Sequence, residues 1–119
     1  MYKHFPLYDD SLDAAEAWAH DVAQHEQHPD LADLVGHTTR RLMSQAIGRN
    51  PAGSRVHIEI TVTKTGIKVE THDPGIPDPV CGLELREVSD IASSYGSCSD
   101  STGHHVWAEL RTAPKAEAR

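Results

Sequence analysis

The sequence predicts an α+β two-layer sandwich, a mostly antiparallel sheet with about three helices on one face. Three observations predict it. Two stretches before residue 50 repeat apolar residues at helical spacing, and the period changes abruptly to strict alternation at Arg55. The link Lys64-Thr65-Gly66 is then short enough to fold the next alternating run back as a hairpin.

Taken in order, Met1–Leu7 reads as a short strand, placed at an edge because Pro6 lacks the N–H that an interior strand needs. Asp9-Asp10-Ser11 supplies N-cap chemistry for a first helix, whose apolar face is Leu12, Ala15, Trp18, Ala19, Val22 and Ala23. It is expected to fade near His28-Pro29. Asp30 is the expected cap of a second helix with the stripe Leu31, Leu34, Val35, Leu42, Ala46 and Ile47, ended by Asn50-Pro51-Ala52-Gly53. In the strand that follows, Val56, Ile58, Ile60 and Val62 point one way, and Arg55, His57, Glu59 and Thr61 the other. Ile67, Val69 and Thr71 mark the second arm of the hairpin. His72–Pro79 is rich in turn formers and reads as a loop. A third helix is expected from about Gly82 to Tyr95, with Leu85, Val88, Ile91, Ala92 and Tyr95 inward and Gly96 as its left-handed stop. Ser97–Gly103 reads as a polar loop and His104–Arg111 as a last strand. The predicted order is β-α-α-β-β-α-β.

The 119 residues fit one domain over 1–111, and the tail 112–119, which has no apolar pattern, is expected to be disordered. A formal net charge of −7 argues against nucleic acid or an anionic membrane as partner, since both need a cationic face. No apolar run approaches the ~18–20 residues of a membrane span. The start, Met1-Tyr2-Lys3-His4-Phe5-Pro6, has no long apolar stretch, so no secretory signal is expected. Cys81 and Cys98 form no disulfide framework, and two reduced thiols in the cytoplasm are the expectation.

Nine histidines are the compositional oddity. His25-Glu26-Gln27-His28 lacks the His-Glu-x-x-His spacing, and His104 and His105, adjacent on a strand, face opposite sides. No metal site is therefore expected. Nor does a strand–turn–helix context mark a nucleophilic serine among Ser93-Ser94 and Ser97–Ser101.

Four stretches carry a wider likeness: His4-Phe5-Pro6, Pro51-Ala52-Gly53-Ser54-Arg55-Val56, Val69-Glu70-Thr71-His72-Asp73-Pro74 and Val106-Trp107-Ala108-Glu109-Leu110. In this order the chain resembles the GHKL (Bergerat) ATPase fold, the histidine-kinase-like ATPases, and within it the small actinobacterial anti-sigma-factor serine kinases. The resemblance implies an ATP site. Its Glu-x-x-x-Asn motif, a proton acceptor and a magnesium ligand, falls on Arg41 and Gln45. Guanidinium cannot accept a proton at any working pH, and glutamine's longer reach displaces the oxygen that magnesium's strict octahedral geometry requires. Asp73-Pro74-Gly75 matches the loop whose Asp accepts the adenine amino group. The family's lid and Gly-x-Gly shrink to Asp78-Pro79-Val80-Cys81-Gly82, with Val80 at a glycine position. On the last strand, His105 stands where the family has Thr beside that Asp.

The expected pocket residues are thus Arg41, Gln45, Asp73, Gly75, Gly82 and His105. The expectation that follows is a non-catalytic binding or regulatory module without bound ATP or magnesium. Its protein partner would be a sigma factor, a sigma-factor antagonist or a second copy of the chain. The alternative is a small enzyme recruited onto the scaffold and acting on a small molecule in the former nucleotide pocket, with Asp73 and His105 as acid–base pair and Arg41 holding an anionic group. An active ATP-dependent serine kinase is the third reading.

Overall fold

In the computed structural model the structure describes residues 1–51, 53–75, 92 and 94–111. The elements are β1 (Tyr2–Pro6), α1 (Ser11–His25), a 3₁₀ turn (Pro29–Leu31), α2 (Ala32–Arg49), β2 (Arg55–Val62), β3 (Gly66–Asp73), β4 (Ser94–Asp100) and β5 (Gly103–Arg111). The strands form one antiparallel sheet in the order β1-β2-β3-β5-β4. The fold class is therefore α+β, as the periodicities imply.

Strand alternation splits the sheet into two unlike faces. Phe5, Val56, Ile58, Ile60, Ile67, Val69, Val106 and Leu110 are buried on the inner face, in one cluster with Ala15, Ala19, Val22, Val35, Leu42, Met43 and Ala46 from the helices. Phe5 and Trp18 meet edge to face with ring centroids 5.8 Å apart. The helices lie close enough that a Cβ on Gly36 would stand 3.1 Å from the Glu16 carbonyl oxygen. Arg40 Nη1 donates to the Asp13 and Glu16 carboxylates, and His20 Nε2 lies 3.0 Å from Asp33 Oδ1, which ties the wet rims of α1 and α2 together.

Local chemistry explains where the helices stop. α1 ends at His25, before the expected His28-Pro29, because Gln27 takes a left-handed φ of 66°. His28 N–H then bonds the Ala23 carbonyl and Gln27 N–H the Gln24 carbonyl, the paired bonds of a Schellman stop. α2 is not capped by Asp30. Pro29 opens a 3₁₀ turn instead, and Leu31 occupies the N-cap position.

Two expectations are corrected in the C-terminal half. His72 and Asp73 belong to β3, not to the following loop. Ser94–Asp100 is the edge strand β4, so Tyr95 is an exposed strand residue and Gly96 a strand glycine across from Trp107. Neither ends a helix, and most of the expected loop Ser97–Gly103 is paired with β5. The reason is that Ser-Tyr-Gly-Ser-Cys-Ser-Asp carries no apolar alternation, and its strand state comes from hydrogen bonds to β5. The rest of the expected third helix, with Leu85, Val88 and Ile91, lies outside the described residues, as does the tail 112–119. Among the described residues no helix is long and apolar enough to cross a membrane.

Candidate functional site

The inner face ends in polar rather than apolar residues where β3 and β5 run out beneath the C-terminal end of α2. Asp73, the last residue of β3, is fully buried. Its Oδ1 accepts the Gly75 N–H at 2.8 Å and the Asn50 side-chain amide at 3.0 Å. Asn50 is the C-cap residue of α2, and the same amide donates to the Ala46 carbonyl at 2.8 Å. One side chain thus joins the last turn of the helix to the end of the strand. The Asn50 Oδ1 atom is buried and has no hydrogen-bond partner among the described residues.

Gly75 holds its place for a steric reason. A Cβ there would stand 2.6 Å from Asp73 Oδ1 and 3.3 Å from the Asn50 amide, so only glycine lets the backbone N–H close on the carboxylate. Gly103 has the same role from the other side, with φ of 133° and Asp73's carbonyl oxygen 2.1 Å from any Cβ. A cavity of about 260 Å³, lined by Leu7, Tyr8, Asp9, Ile47 and Asn50, opens beside this cluster.

Arg41 and Gln45 stand four residues apart on α2 and are both half-buried, on one side of the helix as their spacing implies. Arg41 Nε donates to His37 Nε2 at 2.8 Å, one turn back along its own helix. The α2 side chain that reaches Asp73 is therefore Asn50, which sequence reasoning treated only as a helix stop. The single available signal was its position, an Asn directly before Pro51 at the end of an apolar stripe. Gly82, with Val80 and Cys81, lies outside the described residues.

His105 is not the histidine beside Asp73. In the β3–β5 register Asp73 lies opposite His104, and His105 lies opposite His72. Asp73 and His104 are fully buried on the inner face, while His105 is on the outer one. The acid–base pair Asp73/His105 is consequently not assembled. The shift is one residue, enough to reverse a strand side chain's face. His104 Nδ1 lies 2.7 Å from Ser99 Oγ on β4, a contact that depended on recognising β4 as a strand.

The outer face holds His105 against His72, their rings stacked with centroids 4.0 Å apart and 10° between planes. His105 Nδ1 is 4.0 Å from Glu70 Oε2. Further along, His57 Nδ1 and His4 Nε2 are 3.1 Å apart, and Tyr2 stacks on His57 at 5.0 Å. The His57 pKa is lowered from its ordinary 6.5, first by burial and next by the neighbouring charge of His4, with His72 adding to it and Glu59 and Glu70 opposing.

A pH dependence follows, with its sign. Between the lowered value and 6.5 the unfolded chain binds more protons at this residue than the folded one. Stability should therefore be lost as pH falls through 6.5 towards the lowered value and regained on the way up. Thermal melts in steps from about pH 7.5 to about pH 5 should show this fall, and His57→Asn should flatten it. Equal slopes in both proteins would remove His57 as the cause.

No family model matches the chain, and no curated protein matches it.

Proposed function

We propose that this chain is a non-catalytic binding module on a scaffold of the anti-sigma-factor-kinase type, engaging a protein partner rather than turning over ATP. The observation that carries the reading is the state of the Asp73 cluster. The carboxylate that the resemblance assigns to adenine recognition is buried and already engaged by Gly75 N–H and the Asn50 amide. The adjacent helix brings a guanidinium at Arg41 and an amide at Gln45. Its sole carboxylate, Asp33, stands in its first turn, about 26 Å along the helix axis from the Asn50 end at 1.5 Å per residue. Among the described residues, α2 itself thus brings no carboxylate to this end, and proton transfer from a substrate needs a base within hydrogen-bond reach.

The layer order is in keeping with the resemblance: α1 and α2 on one face, and the Asp-Pro-Gly turn directly after β3. The partner classes that fit the resemblance are a sigma factor, a sigma-factor antagonist or a second copy of the chain. The recruited-enzyme alternative loses its proposed pair, because Asp73 and His105 face opposite sides of the sheet.

Calorimetric titration with Mg-ATP tests the catalytic half of this reading. The chain should show no magnesium-dependent nucleotide binding, and the double variant Arg41→Glu/Gln45→Asn should gain it. Micromolar, magnesium-dependent binding to the unaltered chain would return the kinase reading. Sedimentation velocity of the chain alone, and mixed with a purified sigma factor or antagonist, tests the partner half. A lone monomer in every mixture removes it.

A further inference from the structure

The sheet face opposite α1 and α2 carries a row of imidazoles that the nucleotide-type site leaves unused. Pairing registers place His4 opposite His57, His57 opposite His72, and His72 opposite His105. One transverse rung thus presents four histidines from β1, β2, β3 and β5, closed on β4 by Cys98 opposite His105. The neighbouring rung adds Glu59 opposite Glu70. His57, Glu59, Glu70, His72 and His105 line a depression of about 200 Å³, so its walls offer imidazole and carboxylate groups.

Two donors already stand together. His57 Nδ1 and His4 Nε2 are 3.1 Å apart. A tetrahedral zinc ion with bonds of 2.0–2.1 Å separates two nitrogen ligands by about 3.3 Å. The pair is therefore close to the bite of a divalent ion, and such a contact requires at least one lone pair to face the other ring. His72 Nε2 lies 3.0 Å from the Thr102 carbonyl oxygen. A carbonyl only accepts, so Nε2 carries the hydrogen and Nδ1 of the neutral ring keeps its lone pair.

We propose that this rung binds one divalent transition-metal ion of the zinc class, with His4 Nε2 and His57 Nδ1 as ligands and His72 Nδ1 as the third. Imidazole and carboxylate donors suit zinc, and a fourth position left to water makes the site open. Among the described residues no three such side chains converge on one point as they stand. The third bond forms by rotation of the half-buried His72 side chain, which exchanges its Thr102 contact and its stack on His105 for the metal.

Calorimetry with Zn²⁺ on the metal-free chain, carrying no affinity-tag histidines, provides the test. One equivalent should bind near neutral pH. His57→Ala and His72→Ala should each weaken it at least about tenfold, the lower bound set by outer-shell substitutions at metal sites. His25→Ala, at the exposed end of α1, should leave it unchanged. Co²⁺ should give the absorption bands of a low-coordinate site in the unaltered chain and lose them in His57→Ala, with far-ultraviolet dichroism showing that both remain folded. The proposal is overturned if no zinc binds, if binding survives both rung substitutions, or if His25→Ala removes it.

Discussion

Gly103→Ala is expected to destabilise the chain by about 3–5 kcal/mol, a large part of the ~5–15 kcal/mol that holds a domain of this size together. Two costs add. At φ 133° a side-chain-bearing residue is strained whatever the space around it, which costs about 1–3 kcal/mol. The new Cβ would also stand 2.1 Å from the Asp73 carbonyl oxygen and 3.1 Å from Pro74 Cα, both backbone atoms that side-chain rotation cannot move. Relief requires β5 to part from β3 at the register pair Asp73–His104. Urea denaturation should show the midpoint falling, and amide exchange should show Asp73 and Gly75 losing protection before the middle of β3. Unchanged stability would mean that the β4–β5 turn does not close against Asp73.

Leu42→Ala is expected to cost about 2–5 kcal/mol, the usual range for emptying a leucine-sized volume in a packed core. Leu42 is fully buried among the helix and sheet residues of the core cluster. Its neighbour Arg41 is the informative control. Arg41 is half-buried, not in the core, and its Nε bonds His37 on the same helix, so Arg41→Ala should cost about 1 kcal/mol or less. If the two substitutions prove equal, α2 is rotated from its described orientation. The proposed placement of Arg41 and Gln45 would then fail with it.

Legibility tracked the range of the forces involved. The two helices, the β2–β3 hairpin and the last strand were readable because a packed face leaves a local imprint, period 3.6 or period 2, on the sequence. Ser94–Asp100 left no such imprint. It is an edge strand of small and polar residues, held by pairing with β5. A reader of local patterns accordingly carries the expected third helix through Tyr95. The candidate site was half legible: Asp73 and Gly75 follow from the turn Asp-Pro-Gly, whereas Asn50 and His104 became visible only when α2 and β5 were set against β3.

By itself the sequence determined the α+β composition, the face each helix buries and the outward parity of His57. Those depend on side-chain chemistry and on spacings within one element. The tertiary structure alone decided which strands are neighbours and in what register. It moved Asp73's partner from His105 to His104 and aligned His4, His57, His72 and His105 on one rung. Register is fixed by hydrogen bonds and packing between segments far apart in the chain, and sliding it by one residue exchanges the two faces of a strand. No local window of sequence contains that information.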